Sequence, residues 1–295
     1  MMEIVSFVIL HYKDLETTDI CVQSILKMED RERIRIVIVD NDVNETPEYR
    51  NQIVKKYEKN PKIDILPITE NGGFSYANNK GYEFARNVQK ASYILVLNND
   101  IEFIQKAFLK KLDNVFNSSK CHVIGPDVIC QNTGEHQNPL DKCIRSKSEA
   151  EFTRKMNHTA VRFYFVLFPF LYLKNILEER RRIRLNKKNS VYYQSSHKNI
   201  VPFGACLIFT PLYVGRENRA FFPETSFYYE EYLLACRCKK MNYDILYTPE
   251  LKVYHESGTA TKKSYGSERK RLKFVMQKMA DACAVYLSYI DDLDI

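Results

Sequence analysis

The sequence predicts an α/β fold built on a doubly wound, mostly parallel central sheet with flanking helices. Three observations carry that expectation. Short apolar, β-branched runs alternate with stretches of helical periodicity from the N-terminus to about residue 130. The run Tyr93–Leu97 is apolar throughout, as a strand buried on both faces is. Two runs also stop abruptly in carboxylates and carboxamides, at Asp40-Asn41-Asp42 and at Asn98-Asn99-Asp100. Open α/β sheets bind ligands beyond these carboxyl ends of their strands.

Taken in order, Ile4–Leu10 is apolar and reads as the first strand, followed by a loop at His11-Tyr12-Lys13-Asp14. Thr17–Met28 carries Ile20, Ser24, Ile25 and Met28 at helical spacing. Ile34–Val39 is the second strand. Pro47 opens a helix that ends near Tyr57, because proline suits a first turn. Ile63–Ile68 is a short strand, Asn71-Gly72-Gly73-Phe74 a tight turn, and Tyr76–Asn87 a helix. The strand closing at Asp100 precedes a helix over Lys106–Phe116 and a strand over His122–Val128.

From Cys130 to Tyr192 the alternation fails. Gln131–Asp141 is polar and loop-like. Val161–Leu177 is apolar and aromatic, short for a membrane span and interrupted by Pro169. Directly behind it stands Arg180-Arg181-Arg182-Ile183-Arg184-Leu185-Asn186-Lys187-Lys188. Globular patterning returns at residue 199. Pro202–Phe209 reads as a turn into a strand, Phe227–Lys240 as a helix, and Ile245–Tyr254 as an extended segment ending at His255. Ser267–Tyr289 is a final amphipathic helix, with Leu272, Val275, Met279, Cys283, Tyr286 and Ile290 near one face. That face offers a surface for pairing with a second copy.

Composition narrows the class. In 295 residues, 45% of them hydrophobic, there is material for a large core. Eight cysteines lack zinc-type spacing, Cys236 and Cys238 being the closest pair, which suits a reducing cytoplasm better than a disulfide framework. A strand begins almost at once, with no basic n-region or cleavage site before it, so no secretory signal is expected. The net charge of +7 is unevenly placed. Basic runs are more often solvated faces or membrane contacts than nucleic-acid sites, so no nucleic-acid partner is expected. There is neither a lysine-bearing phosphate loop nor a G-x-G-x-x-G turn, which argues against nucleotidyl transfer and dinucleotide binding.

The chemistry-bearing residues fall in an ordered set: Val39-Asp40-Asn41; Asn71-Gly72-Gly73-Phe74 with Asn78-Asn79-Lys80-Gly81; Leu97-Asn98-Asn99-Asp100; Gly204-Ala205; Tyr229-Glu230-Glu231; and Val253-Tyr254-His255-Glu256-Ser257-Gly258. Each motif is weak alone. Six in this order resemble family 2 glycosyltransferases, and among them the rhamnosyltransferase-type enzymes of bacterial surface-polysaccharide synthesis. The resemblance covers about residues 3–130 and 200–262. It implies a GT-A fold, inversion at the anomeric carbon, and a nucleotide-diphosphate sugar donor such as dTDP-rhamnose or a UDP-sugar. It also implies a divalent Mg²⁺ or Mn²⁺ ion and a saccharide acceptor, in this setting lipid-linked.

Carried over by position, the resemblance implies that Asp40 hydrogen-bonds the pyrimidine, with His11 and Asn41 beside it. Asn71, Gly73 and Asn78 would line the nucleoside and donor sugar, and Asn98, Asn99 and Asp100 the diphosphate end. Asp100 matches the final aspartate of an Asp-x-Asp element whose first position here is Asn98, so one carboxylate holds the metal. His255 completes the metal or diphosphate site, and Gly204 and Ala205 face the acceptor. Glu231 matches the catalytic base, with Glu230 as its neighbour and competitor. Elementary chemistry agrees: a positioned carboxylate deprotonates the acceptor hydroxyl, and a hard cation holds the leaving diphosphate. From the residues alone, Asp40 could instead cap a helix and His255 could be structural.

Four segments follow: 1–130, a nucleotide-sugar half; 131–198, a helical apolar and basic insertion; 199–262, an acceptor and catalytic half; and 263–295, a C-terminal helix. The insertion is expected to dock on the cytoplasmic membrane face, making the protein cytoplasmic and peripheral, through aromatic residues followed by a basic cluster. The competing arrangement is a helical hairpin packed on the sheet or in a dimer. The competing function is a catalytically inactive GT-A-fold module that binds a sugar nucleotide or saccharide.

Overall fold

A computed structural model of the protein describes residues 2–43, 46–70, 72–256 and 267–291. Asn71, Ser257 and Gly258 lie outside the described residues. In chain order the first part contains β1 (Val5–His11), α1 (Leu15–Leu26), β2 (Ile34–Asp40), α2 (Pro47–Tyr57), β3 (Ile63–Pro67), α3 (Gly73–Asn87), β4 (Tyr93–Asn98), β5 (Ile101–Phe103), α4 (Phe108–Ser119) and β6 (Val123–Cys130). Then come the paired helices α5 (Lys147–Arg162) and α6 (Tyr164–Lys188). The remainder contains β7 (His197–Lys198), β8 (Cys206–Phe209), α7 (Pro211–Val214), α8 (Glu230–Lys240), β9 (Ile245–His255) and α9 (Glu268–Asp291).

The nine strands form one sheet in the order β3-β2-β1-β4-β8-β6-β9-β5, with β7 joined to β9. β1 pairs in parallel with β2 and β4, β2 with β3, and β6 with β9. β8, from the later part of the chain, inserts antiparallel between β4 and β6. Strands within residues 5–130 and 197–255 therefore build a single sheet. The parallel strands alternate their side chains between two buried layers: Val8, Val37, Ile94 and Val96 enter one, Phe7, Ile9, Leu95 and Leu97 the other. Burying each such side chain is worth about 1.5–3 kcal/mol, which makes the sheet a rigid platform.

Local chemistry sets the ends of the elements. Asp14 caps α1 by accepting from the Thr17 amide, and Thr46 caps α2, with Pro47 in its first turn. Ser146 and Glu149 form a reciprocal capping box at α5. Several boundaries differ from the sequence expectation for physical reasons. The expected strand through Asp100 is two strands, because the chain turns at Asn99-Asp100 and sends β5 to pair with β9. The helix expected from Phe227 begins at Glu230, because Tyr228 and Tyr229 adopt left-handed φ values of 68° and 67°. The helix expected from Tyr76 begins at Gly73. Pro169 does not interrupt the apolar stretch: α6 runs through it, since near a helix start it removes only one backbone bond.

The expected apolar face of the C-terminal helix is used within the chain. Leu272, Cys283, Tyr286 and Ile290 of α9 are buried, and the helix packs on α5 and α8.

Candidate active site

The parallel register brings three predicted positions to one end of the sheet. His11 lies opposite Asp40, and Leu10 lies opposite Asn98. This is the carboxyl edge, where such sheets bind ligands.

Asp40 is fully buried. Its Oδ2 accepts from Arg50 Nε at 2.8 Å and its Oδ1 from the Asp42 amide at 3.3 Å. It does not cap α2, which Thr46 does. The His11 proton can be placed by elimination. Thr18 gives its one hydroxyl proton to the Asp14 carbonyl at 2.8 Å, and it accepts from Asn99 Nδ2 at 3.1 Å. Its 2.7 Å contact with His11 Nδ1 therefore requires Nδ1–H as the donor. Nε2 is left as a buried acceptor with no partner among the described residues. Burial also pushes the His11 pKa down, favouring the neutral ring. Asn41 Oδ1 and Asn78 Oδ1 are likewise buried without partners, the Asn78 amide NH₂ being bound to the Phe74 carbonyl. Three buried acceptors at this edge call for a ligand that donates.

Asn99 is placed differently from Asn98. Its amide reaches back to α1 and steadies Thr18, so it acts on His11 at second hand. Asn98 is half-buried at the strand end, its amide bonded to the Ala205 carbonyl at 3.0 Å.

Asp100 and His255 meet where β5 pairs with β9. Asp100 Oδ1 and His255 Nε2 are 3.2 Å apart, and both side chains are almost fully buried. On the far side of the ring, His255 Nδ1 donates to Gln137 Oε1 at 2.7 Å, because that oxygen can only accept. Nε2 faces the carboxylate, and a proton or a cation between the two makes the contact favourable. One oxygen and one nitrogen suit Mg²⁺ or Mn²⁺, with phosphate and water oxygens completing the shell. Among the described residues no cluster of three or more His, Cys, Asp or Glu could hold a metal; Asp100 and His255 are the residues that would hold one here.

The two glutamates at the start of α8 part company. Glu230 is buried at 7% exposure and accepts from Thr225 Oγ1 at 3.3 Å. Thr225 is tied in turn to Ser75 at the start of α3 (3.2 Å). There Gly73, at φ 86°, lies so close to Ser226 that a Cβ would stand 2.5 Å from its Cα. Glu230 thus faces a structural junction. Glu231 is half-buried and accepts from the Gly204 amide at 3.2 Å. A Cβ on Gly204 would sit 2.5 Å from Glu231 Oε1, so the glycine makes room for this carboxylate. Burial raises the pKa of both glutamates, and Glu231 raises that of Glu230 further.

The turn at 203–205 ties these parts together. Phe203 packs edge-on against His255 at 5.8 Å, Gly204 holds Glu231, and Ala205 accepts from Asn98. Ala205 itself is buried in the core, so its part is positional. Asn138 fixes the turn by accepting from the Phe203 amide at 3.1 Å. Gln137, Asn138, Arg50, Thr18 and Thr225 were not visible as site residues in the sequence. Gln137 and Asn138 sit in an aperiodic polar loop that carries no signal.

A mixed α/β sheet, mostly parallel and completed by strands from the later part of the chain, is the GT-A fold. The chain belongs to glycosyl transferase family 2, whose family model matches residues 6–181. It is 23% identical over 225 residues to the uncharacterized glycosyltransferase EpsJ of Bacillus subtilis (strain 168), a match over 74% of this chain and 62% of EpsJ. Crystal structures of S. aureus TarS 1-349 share the fold at 14% identity. One has a TM-score of 0.51 and covers 92% of this chain and 65% of TarS 1-349. The other, in complex with UDP-GlcNAc, has a TM-score of 0.52 and covers 92% and 66%. The chain thus spans less than two thirds of the length of each of these relatives.

Proposed function

We propose that the protein is an inverting glycosyltransferase that moves a sugar from a nucleotide-diphosphate sugar to a hydroxyl of a saccharide acceptor. The observation that carries this reading is the 203–205 turn, which touches Glu231 on one side and His255 on the other. A base and a diphosphate-holding pair on opposite sides of one turn are what in-line displacement at an anomeric carbon needs.

Glu231 takes the proton of the acceptor hydroxyl. The freed oxygen bonds to the anomeric carbon as the bond to the diphosphate oxygen breaks on the opposite face, which inverts the centre. Asp100 and His255 would hold a Mg²⁺ or Mn²⁺ ion, which supplies charge neutralisation to the departing diphosphate when bound. Asp40, His11, Asn41 and Asn78 hold the nucleoside. Three buried acceptors there match the two hydroxyls of a ribose and the imide N–H of a pyrimidine. That favours a UDP-sugar over dTDP-rhamnose, whose deoxyribose offers one hydroxyl fewer. The UDP-GlcNAc bound by S. aureus TarS 1-349 is consistent with this choice. The acceptor is a lipid-linked saccharide of bacterial polysaccharide synthesis, met at the cytoplasmic membrane face, with the described residues of the later half lining its site.

Thermal unfolding with UDP-, dTDP- and GDP-sugars, with and without Mn²⁺, tests the donor, since a ligand of the native state raises the melting temperature. The UDP-sugar with Mn²⁺ should give the largest rise. The anomeric configuration of the product, read by NMR, tests inversion. Donor binding with no transfer to any lipid-linked acceptor would instead make the protein an inactive binding module.

A further inference from the structure

Helix α6 is tied down at both ends. At its start, Tyr164 donates to the Arg269 carbonyl at 2.7 Å. Near its end, Arg182 pairs with buried Glu135 at 2.8 Å. Asn186 accepts from the His136 amide and donates to its carbonyl, at 3.0 and 2.6 Å. Tyr164, Arg182 and Asn186 lie on one side of the helix, at 100° per residue.

The opposite side is a single stripe. Val166, Phe170, Leu173 and Leu177 are spaced by four, three and four residues, and are 72%, 72%, 55% and 54% exposed. The same line continues through exposed Arg181, Arg184 and Lys188, flanked by Arg180. The apolar half extends for about 16 Å of helix and the basic half follows without a break. Among the described residues no helix is long and apolar enough to cross a membrane.

We infer that this stripe docks the protein on an anionic lipid surface, the apolar half entering the acyl boundary and the basic half meeting head groups. A second copy is a poor fit. Pairing two such stripes sets arginines against arginines or against Phe170 and Leu173, and the acidic residues beside them are Glu178, already near Lys174 at 3.6 Å, and Glu179. A nucleic acid would satisfy the arginines and leave the apolar half in water. Arg182, part of the basic run, lies on the other side of the helix, exposed but paired with Glu135, and is not part of the docking surface. The helix that carries the stripe is joined to the active site through its other side: Asn186 clamps His136, and the next residue, Gln137, holds His255. The inference rests on the transfer reading only in supplying a surface from which a lipid-linked acceptor is met.

Flotation of the full chain with vesicles tests it without donor or acceptor, so its failure leaves the transfer chemistry standing. Vesicles of phosphatidylcholine with about one third phosphatidylglycerol should carry the protein upward at low salt, and the effect should collapse at about 0.5 M salt as screening shortens to a few ångströms. Pure phosphatidylcholine should not carry it. Each basic residue near an anionic surface is worth about fivefold in partitioning, so Arg180→Ser, Arg181→Ser, Arg184→Ser and Lys188→Ser together should lose on the order of several hundred-fold. A second variant, Phe170→Ser with Leu173→Ser and Leu177→Ser, should also stop flotation while its circular dichroism and melting temperature stay as in the wild type. Wild-type protein that stays at the bottom with anionic vesicles overturns the inference. So does flotation unchanged in both variants, or an apolar variant whose only change is the loss of a dimer in sedimentation.

Discussion

His255 Nε2 faces Asp100 Oδ1 across 3.2 Å at the point where β5 joins β9. Gln137 Oε1 holds the far side of the ring, so Nε2 stays aimed at the carboxylate, and in the proposed function this pair would hold a cation. Asp100→Ala removes its carboxylate arm. Calorimetry should show that UDP binding no longer strengthens on adding Mn²⁺, and transfer should fall about 10²- to 10³-fold, in line with the loss of one electrostatic stabiliser of developing charge. Near wild-type turnover of Asp100→Ala in Mn²⁺ would show that the diphosphate is held elsewhere.

Gln137 acts through His255. A ring nitrogen's partner fixes which nitrogen faces the metal, and losing such a partner typically costs 10- to about 100-fold in affinity. Gln137→Leu should therefore weaken apparent Mn²⁺ binding by that factor while UDP affinity in chelator is unchanged. Gln137→Glu, which keeps an acceptor for Nδ1–H, should restore most of it. Equal Mn²⁺ affinity in all three proteins would reduce Gln137 to a packing residue.

Glu231→Gln should bind donor as the wild type does and transfer about 10²- to 10⁴-fold more slowly, the usual loss on removing a general base. Its pH profile should change as well. Burial holds the Glu231 pKa above its ordinary value of 4.5, so wild-type kcat/KM should climb with pH through a value higher than that. The variant should lose this limb. Glu230→Gln should keep the limb and most of the rate. The opposite ranking would make Glu230 the base.

The fold and the site were legible in the sequence to different depths. Strands that end in Asp40 and Asp100 announce themselves, because apolar periodicity and a sudden carboxylate are both local signals. β8 between β4 and β6 was not readable, since antiparallel insertion of a distant four-residue strand leaves no local trace. Glu231 and Glu230 are neighbours in sequence and looked alike. Only the helix start sends one to Gly204 and the other to Thr225. Gln137 and Asn138 were invisible because their partners, His255 and Phe203, lie 118 and 65 residues away. The stripe on α6 was present as composition, an aromatic run followed by arginines. The structure adds which arginine is engaged by Glu135 on the other side of the helix.

Glu230 also sets a stability prediction. Its carboxyl is buried, and burial followed by the Glu231 charge pushes its pKa well above the ordinary 4.5. The folded state then binds a proton more tightly than the unfolded chain does. By linkage, Glu230's favourable contribution is complete below pH 4.5 and is lost as pH rises through its folded pKa. Glutamine is isosteric and never ionises. It can also accept from the Thr225 hydroxyl that Glu230 Oε2 accepts from at 3.3 Å. Glu230→Gln should thus match the wild type well below pH 4.5, where both side chains are neutral in both states, and exceed it by a margin that grows as pH rises from 4.5 to the folded pKa and then levels off. Urea midpoints measured across this range check the sign. A variant less stable than the wild type at pH 8 would mean that Glu230 is ionised and bound to a cationic partner in the folded protein.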